Sequence, residues 1–322
     1  MKNTPPILAR ALSLCVLPVL LLACTAGRAV AWDNLGHKTV ATIAWDQLTP
    51  RAQAKITALF QADPRGRQFV NAAVWPDDIK KFLRNAAPKA PVNRPWHYVN
   101  IPYDGTAAQI AAAIEKPGVT ADPPHAASAN VVTGTRFYTA LLKGGQGDAR
   151  QQADALSFLI HYVGDLHQPL HCVAVLHPLP NYTPPFAADG SSADAGGNGF
   201  TLTGTPADLH AYWDDIFDLG QPDGSDTDAN ARTLATALQA RIRPGMFALM
   251  KTDPKSWATE SYAYRKFVYS PPIGVNSNPH GTIQHHDITP AYATKARGIA
   301  ERQVVKAGYR LANLLNGIYD VP

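Results

Sequence analysis

The stretch "ALSFLIHYVGDLHQPLH", residues 155–171, places a helical pattern directly beside a cluster of side chains that bind metals. Apolar residues recur here at intervals of three and four, the spacing of an amphipathic α-helix. His161 and Asp165 are four residues apart, so both side chains share one face of such a helix. Pro169 lacks a backbone N–H and its ring crowds the carbonyl of Asp165, so we expect the helix to bend or end there. His171 can then turn toward the same region.

The same helical periodicity recurs along most of the chain. It is present in Asn34–Gln47, Ala149–Tyr162, Thr227–Met250 and Ala291–Leu315, whereas alternating strand patterns are scarce. Segments rich in Pro, Gly and Asp connect the helical stretches, and the longest of them is His177–Gly199. The sequence therefore predicts a mainly α-helical single domain with little β-structure and one long functional loop.

The first thirty-one residues have the features of an export signal. Lys2 and Arg10 form a positive start, an apolar run follows, and Ala29-Val30-Ala31 offers the small residues that a signal peptidase accepts. The apolar run is shorter than the ~20 residues that span a bilayer, and no later stretch replaces it. We predict a signal peptide at residues 1–31 and a secreted or periplasmic domain at residues 32–322, with no stable membrane association.

The cysteines limit how the exported chain can be stabilised. Cys15 and Cys24 lie in the leader, so Cys172 alone would remain and no intramolecular disulfide could form. Bound metal is another means of stabilising such a chain. An alternative concerns Leu21-Leu22-Ala23-Cys24, which resembles a bacterial lipoprotein box. Processing at that site would leave Cys24 lipidated and Trp32 internal.

The charge balance excludes one class of nucleic-acid binder. Loss of the leader removes Lys2, Arg10 and Arg28 and lowers the formal net charge from +4 to +1. Nothing in this composition resembles a basic clamp around nucleic acid. A polyanionic substrate would have to be held mainly by the active site itself, and the composition implies no protein partner.

Two His-x-x-x-Asp pairs indicate a metal site. His210 and Asp214, in "DLHAYWDDIF", repeat the four-residue spacing of His161 and Asp165. A single pair is weak evidence, because an ion pair on a helix surface gives the same spacing. Two pairs, together with His171 and the proline, favour a metal. Imidazole and carboxylate without thiolate suit catalytic zinc, which keeps a coordination position for water.

Two further segments carry residues of the same type. In "AAVWPDDIKK", Asp77 follows a Trp-Pro step that can begin a helix. In "RPWHYVN", His97 lies in an aromatic-rich stretch with an extended appearance. Taken alone, Asp77 is expected to be a helix N-cap and His97 a half-buried strand residue.

The ordered set of these motifs resembles the trinuclear-zinc nuclease family of the fungal single-strand-specific (S1/P1) type, which is related in fold to bacterial zinc phospholipase C. The resemblance extends over essentially all of residues 32–322 and includes the closing segment "AGYRLANLLN". The motifs that carry it are Trp32 with His37, Trp75-Pro76-Asp77, His97-Tyr98, His161 with Asp165 and His171, Gly196-Gly197-Asn198, and His210 with Asp214.

The resemblance implies three zinc ions and a set of nine ligands. These would be Asp77, His97 and His161 for a first zinc; His171, His210 and Asp214 for a second; and Trp32 and His37 for a third, with Asp165 bridging the first and third. Trp32 would bind through its free amine and its own carbonyl. Such binding is possible only after the leader is removed.

The implied reaction is hydrolysis of RNA and single-stranded DNA to 5′-phosphate products, with 3′-nucleotidase activity on mononucleotides. A water between the first and third zincs would attack, and the second zinc would stabilise the departing 3′ oxygen. Asp77 would orient the water and accept its proton. Lys80 would stabilise charge in the transition state, although a solvated lysine beside Lys81 is the alternative.

Two residues are candidates for binding the nucleobase. Tyr98 matches a position at which relatives stack a base, and Asn198 matches one that hydrogen-bonds its edge. Stacking is worth ~1–3 kcal/mol per base and needs an unpaired base, which favours single strands. Tyr98 could equally be a core aromatic. The residues Asn100, Asp208 and Ala195 depart from the family pattern and leave base and strand preference open.

Three classes of function remain open from the sequence. The leading hypothesis is an exported zinc endonuclease and 3′-nucleotidase. The alternative is a zinc phospholipase C or another phosphodiesterase, which would need an apolar rim for acyl chains. A zinc-binding protein without turnover is a third possibility, against which Asp77 and Lys80 argue.

Three other prominent features are not expected to bind metal. His167 differs in helical angle from His161 and Asp165, so we expect it behind the ligands or on the surface. Residues 284–287, "QHHD", are expected in a polar loop. Cys172 is expected to be a buried, inert thiol.

Overall fold

A computed structural model describes residues 32–79, 94–115, 129–184, 194–219, 227–242, 252–272 and 285–320. The predicted leader at residues 1–31 lies outside these ranges. Lys80 also lies outside them, as do residues 185–193 of the predicted loop.

The described residues are mainly α-helical and include no β-strand, only isolated bridges, so the predicted fold class is confirmed. Two 3₁₀ turns, Arg94–His97 and Pro169–Cys172, and a helical segment at residues 75–79 accompany the main helices. In chain order the main helices are α1 (Asn34–Gln47), α2 (Pro50–Ala62), α3 (Phe69–Ala72), α4 (Ala107–Ile114), α5 (Val131–Lys143), α6 (Ala149–Asp165), α7 (Leu209–Asp214), α8 (Thr227–Arg241), α9 (Pro254–Tyr262), α10 (Arg265–Val268) and α11 (Pro290–Tyr319).

The central helix of the domain is α1, which packs against α11, α8 and α6. It begins at the predicted residue because Asp33 caps it, accepting a hydrogen bond from the Gly36 amide at 3.1 Å. Its residues from Leu35 to Ala44 are almost all buried, and one hydrophobic cluster joins it to the surrounding helices. No described helix has both the length and the apolar composition needed to cross a membrane.

The helix α6 ends at Asp165, as the proline predicts. Beyond Asp165 the backbone turns more tightly than in an α-helix. The Asp165 carbonyl accepts from the Gln168 amide, three residues on, at 3.0 Å instead of from an amide four residues on. Pro169 then opens the 3₁₀ turn Pro169–Cys172, which carries His171 back toward α6. A helix end and a short turn thus bring three metal-binding side chains together within eleven residues.

The contact between α1 and α11 depends on a residue without a side chain. A Cβ atom at Gly308 would lie 2.6 Å from Cβ of Ile43 and 3.1 Å from the carbonyl oxygen of Val40. Both distances are below ordinary van der Waals separation, so the two helices approach closely only because Gly308 is glycine.

We predict that Gly308→Ala lowers the free energy of unfolding by about 1–3 kcal/mol, because the added methyl overpacks this interface. The matched control is Gly317→Ala on the same helix, where nothing lies within 4 Å of the added atom. That change should raise stability by about 0.5–1 kcal/mol, since alanine favours the helix. Urea unfolding of both variants tests this, and equal effects would contradict the packing argument.

Candidate metal centre

Buried histidine and aspartate side chains form three groups, each with ligand atoms within 4.8 Å of one another. Different elements supply them, namely α1, residues 75–79, the two 3₁₀ turns, α6 and α7. Every member is at most 5% exposed. The groups are His37–His161–Asp165, Asp77–His97–His161 and His171–His210–Asp214.

Asp165 lies at the centre of the three groups. Its Oδ2 is 3.2 Å from both His97 Nδ1 and His161 Nε2. Its Oδ1 is 3.5 Å from His37 Nε2 and 3.6 Å from His171 Nδ1. One carboxylate therefore contacts imidazoles from all three groups, which is the position expected of a bridging ligand.

The third group combines the second His-x-x-x-Asp pair with His171. The two oxygens of Asp214 lie 3.8 Å from His171 Nε2 and 3.3 Å from His210 Nε2. The two imidazole rings stack with centroids 5.0 Å apart. Gln168 donates from Nε2 to Asp214 Oδ1 at 2.8 Å, so this carboxylate has a defined orientation.

Backbone carbonyls orient three of the imidazoles. A carbonyl can only accept, so the Nδ1 atom that faces it carries the proton and Nε2 presents its lone pair to the groups. The three bonds run from His161 to Ala73 at 2.7 Å, from His171 to His97 at 2.6 Å and from His210 to Gly196 at 2.6 Å.

Several polar atoms at the centre have no hydrogen-bond partner among the described residues. They are both ring nitrogens of His37, both carboxylate oxygens of Asp165 and Oδ2 of Asp214. Leaving such atoms buried and unpaired costs about 1–3 kcal/mol each, unless a bound cation satisfies them. Their chemistry matches zinc, which takes imidazole nitrogen and carboxylate oxygen as ligands.

The electrostatic environment also favours a cation. Burial raises the pKa of Asp165 and raises that of Asp214 well above the usual range. Burial and the neighbouring His161 lower the pKa of His37 to about 4, so its imidazole is neutral. The ion-pair partners of Asp165 and Asp214 in the described part of the chain are all histidines. The buried groups can therefore bind metal ions, with neutral imidazoles as ligands and carboxylates that need positive charge.

Trp32 lies beside this centre. It is fully buried, and its indole Nε1 donates to the Gly164 carbonyl at 3.0 Å, one residue before Asp165. The next residue, Asp33, donates its amide to the Asp214 carbonyl at 3.0 Å. The Trp32 indole and the Asp33 amide are thus hydrogen-bonded to the backbone at Gly164, next to Asp165, and at Asp214.

Asp77 and His97 differ from what their local sequence suggests. Asp77 is not an N-cap but lies within the helical segment at residues 75–79, with Oδ1 3.7 Å from His97 Nδ1. The strand assignment for His97 is wrong, because His97 ends the 3₁₀ turn Arg94–His97 and is 2% exposed. The turn forms because Trp96, also buried, is packed into the core beside Tyr138.

The two candidate base-binding residues adjoin, in the chain, residues that contact the segment carrying His171. Tyr98 is half-buried rather than a core residue, and the neighbouring Val99 donates its amide to the His171 carbonyl at 2.8 Å. Asn198 is partly exposed and donates from Nδ2 to the Ala195 carbonyl at 2.6 Å. Tyr98 thus directly follows His97 in the chain, and Asn198 lies two residues after Gly196, whose carbonyl accepts from His210.

Several side chains near the site were not singled out by sequence reasoning, or were misplaced. Asp194 and Gln168 carried no recognisable motif signal. His167 is fully buried and accepts from Arg310 at 2.8 Å, so a surface position for it is wrong. His286 lies in a non-helical segment, as expected, but is buried against Phe200, which the sequence did not predict.

Cys172 is a buried free thiol, as predicted. Burial raises the pKa of Cys172, so the thiol stays protonated. Its Sγ faces the Leu166 carbonyl at 3.5 Å, and Cys172 belongs to none of the three metal groups.

Comparison with known proteins identifies the family. The sequence model of the S1/P1 nucleases matches residues 32–320. The chain belongs to the S1/P1 nuclease family. It is therefore a nuclease, and nucleic acids are its class of substrate. The match begins at Trp32, the residue beside the metal centre.

Three similar relatives come from fungi and a plant. Nuclease S1 of Aspergillus oryzae is 26% identical and the alignment covers 90% of this chain and 93% of the relative. Nuclease P1 of Penicillium citrinum is 24% identical, with coverage of 89% and 98%. Endonuclease 5 of Arabidopsis thaliana is 24% identical, with coverage of 95% and 96%. The similarity thus extends over nearly the whole length of each protein.

We predict that Gly164→Ala weakens metal binding. A Cβ atom at Gly164 would lie 2.7 Å from Nδ1 and 2.9 Å from Cε1 of His37, so the ring must move away from Asp165. Changes beside a ligand typically weaken metal affinity roughly 10- to 100-fold. Competition for zinc with a chelator of known affinity measures the effect.

The matched control is Gly298→Ala on α11, whose nearest neighbour, Arg302 Nη1, lies at 3.5 Å. Its zinc affinity should equal that of the parent protein. If Gly164→Ala also retained the zinc affinity of the parent protein, His37 would not be a metal ligand whose position depends on its contact with Gly164.

Proposed function

We propose that residues 32–322 form an exported, zinc-dependent phosphodiesterase that hydrolyses RNA and single-stranded DNA to 5′-phosphate products and acts as a 3′-nucleotidase. The observation that carries the proposal is the meeting of three buried His/Asp groups at Asp165 in a member of the S1/P1 nuclease family. Relatives that are named nuclease or endonuclease, and that align over nearly their whole length, support the nuclease activity in this proposal.

We assign three zinc ions to this centre. Two of the observed groups, Asp77–His97–His161 and His171–His210–Asp214, support two of the assigned ligand sets, and the remaining observed group, His37–His161–Asp165, shares His161 with the first of these. We assign Trp32 and His37 to the third ion and Asp165 to a bridge between the first and third. The four contacts of Asp165 with imidazoles support the bridge.

The chemistry divides between the metals and the surrounding side chains. Bound zinc supplies an activated water at neutral pH and positive charge for the phosphate oxygens. The Asp77 carboxylate belongs to the Asp77–His97–His161 group, and we assign to it the orientation of the attacking water and acceptance of its proton. The His171–His210–Asp214 group would hold the side of the phosphate from which the 3′ oxygen departs.

Lys80, outside the described residues, is proposed to stabilise the charge of the transition state. It follows Asp77 by three positions in the sequence, and a cation placed there would act on the developing oxyanion.

Substrate selection would come from stacking and one amide. The half-buried ring of Tyr98 is available to an unpaired base, and stacking does not depend on base identity. Asn198 donates to Ala195 with one N–H, so its second N–H and its carbonyl oxygen can meet a base edge. A base inside a duplex could not reach both groups, which explains the proposed preference for single strands.

Export is the proposed means of forming the third site. Cleavage after Ala31 would convert the Trp32 amide into a free amine, whose pKa near ~8 lets it lose a proton to a bound cation. The buried position of Trp32 and its bond to Gly164 support this assignment. The protein would then become fully active only after leaving the compartment in which it is made.

We predict that the protein starting at Trp32 cleaves single-stranded DNA and RNA and releases phosphate from 3′-AMP, and that EDTA abolishes all three activities. Asp165→Asn should lose both zinc and activity, because the change weakens the bridge between two sites. The control is Asp148→Asn on the same helix, an exposed cap whose replacement by asparagine costs little; it should retain both.

The same assay includes phosphatidylcholine. Lipid hydrolysis without cleavage of nucleic acid would reject the proposal in favour of a phospholipase C. Nuclease activity that resists EDTA would reject the zinc chemistry, and full zinc content in Asp165→Asn by elemental analysis would reject the bridge.

We predict that a protein retaining Ala31 ahead of Trp32 contains one zinc fewer than the protein that starts at Trp32 and has lost most of its turnover. An internal amide cannot coordinate as an amine does, whereas the remaining ligands are unchanged. Elemental analysis and kcat of the two proteins measure the effect. Equal zinc content and equal kcat would remove the Trp32 amine from the ligand set.

A further inference from the structure

A buried acid that belongs to none of the three metal groups organises the turn beside them. Asp194 is 1% exposed and begins the turn formed by residues 194–199. Among the described residues, the four hydrogen-bond partners of its carboxylate are all donors. Oδ1 accepts from the amides of Val175 at 2.8 Å and Gly196 at 3.2 Å, and Oδ2 accepts from the amide of Gly197 at 2.9 Å and the hydroxyl of Tyr269 at 2.5 Å.

The turn that Asp194 holds has an unfavourable backbone conformation. Ala195, Gly196 and Gly197 have φ values of 51°, 68° and 89°, so three successive residues are in the left-handed region. For the non-glycine residue Ala195 this costs roughly 1–2 kcal/mol, so the surroundings must impose it. The amides of Gly196 and Gly197 converge on the Asp194 carboxylate, which compensates the cost.

One side of the turn contacts the metal group. The Gly196 carbonyl accepts the Nδ1 proton of His210 at 2.6 Å and thereby directs Nε2 of His210 toward Asp214. A Cβ atom at Gly196 would collide with the Leu170 carbonyl oxygen, so the turn cannot shift toward the 3₁₀ turn Pro169–Cys172. The orientation of His210 therefore depends on where Asp194 holds Gly196.

The other side of the turn presents the amide proposed to contact the base. Asn198 bonds back to Ala195 at 2.6 Å, so its side chain moves with the same turn. Asp194 is in turn anchored to the core segment that follows His171, because its own amide donates to the Val175 carbonyl at 3.1 Å. A single carboxylate thus links a metal-group histidine, the base-contacting amide and the core.

We propose that Asp194 is a positioning residue that holds the turn at residues 194–199. His210 in the metal group and Asn198 at the base thereby keep fixed positions relative to each other. The part concerning the base rests on the proposed function, whereas the part concerning His210 does not. The consequence is that metal affinity and base affinity depend on the same buried acid.

The test uses Asp194→Asn, which leaves the size of the side chain nearly unchanged. The substitution replaces a carboxylate oxygen by an NH₂ group at a position toward which another donor already points. An amide oxygen can still accept from two partners, but the NH₂ group then faces the Gly197 amide, which can only donate. Titration calorimetry of zinc into EDTA-stripped protein should show the affinity of one step reduced roughly 10- to 100-fold, as for other residues behind a ligand. Adenosine binding to the zinc-loaded protein should also weaken.

Two controls separate positioning from general destabilisation. Asp63→Asn removes a carboxylate that is equally buried but pairs with Arg65 and Arg67 away from the turn. It should lower the melting temperature while leaving every zinc step and the affinity for adenosine unchanged. Asn198→Ala should weaken adenosine binding and leave zinc affinity unchanged.

The outcomes distinguish the proposals. If Asp194→Asn lowers the melting temperature as Asp63→Asn does but changes neither affinity, Asp194 is merely structural. If Asn198→Ala binds adenosine as the parent does, the proposed base contact fails, and the zinc titration still decides the role toward His210. Should Asp194→Asn not fold, Tyr269→Phe removes one of the four bonds, and smaller losses of both affinities are then required.

Discussion

The structure depends on the burial of one carboxylate among imidazoles. Asp165 is inaccessible to solvent and lies within 3.6 Å of four histidine nitrogens that come from three separate segments and from its own helix. A charge in such a position is tolerated only with compensating positive charge, and burial raises the pKa of Asp165 although the neighbouring His171 and His37 lower it. The buried groups around Asp165 can bind metal ions, and such binding would stabilise the native state through the same contacts.

The elements around Asp165 also constrain one another at a distance. The turn after α6 is held to α11, because Gln303 donates from Nε2 to the His167 carbonyl at 3.0 Å and Arg310 donates to His167 Nε2 at 2.8 Å. Burial and the neighbouring Arg310 lower the pKa of His167, so its neutral ring can accept that bond. The closing helix α11 thus fixes the position of the turn that follows Asp165, although no residue of α11 belongs to the metal groups.

Local sequence predicted the secondary structure well where a cap or a proline marks the boundary. The prediction for α1 matches its observed residues, and α6 ends beside Pro169 as expected, because these limits depend on neighbouring backbone groups. The two His-x-x-x-Asp pairs, His161 with Asp165 and His210 with Asp214, were also recognisable from local sequence, because residues four positions apart share one face of a helix. His97 was wrongly assigned to a strand, the surface alternative for His167 was wrong, and the burial of His286 was not predicted, since these outcomes depend on contacts with Trp96, Arg310 and Phe200 that local patterns do not reveal.

The sequence by itself determined the types of metal-binding side chain, the shared helix face of each of the two His-x-x-x-Asp pairs, and the helical class of the fold. These follow from helical periodicity and from the order of motifs along the chain. Only the tertiary structure brings the members of a group into contact, as with His97 and His161, whose ring nitrogens lie 2.9 Å apart although the residues are 64 positions apart in the sequence. It also revealed Asp194, whose effect on His210 passes through a strained turn. Such relations arise from contacts between distant segments, and spacing within one segment carries no information about them.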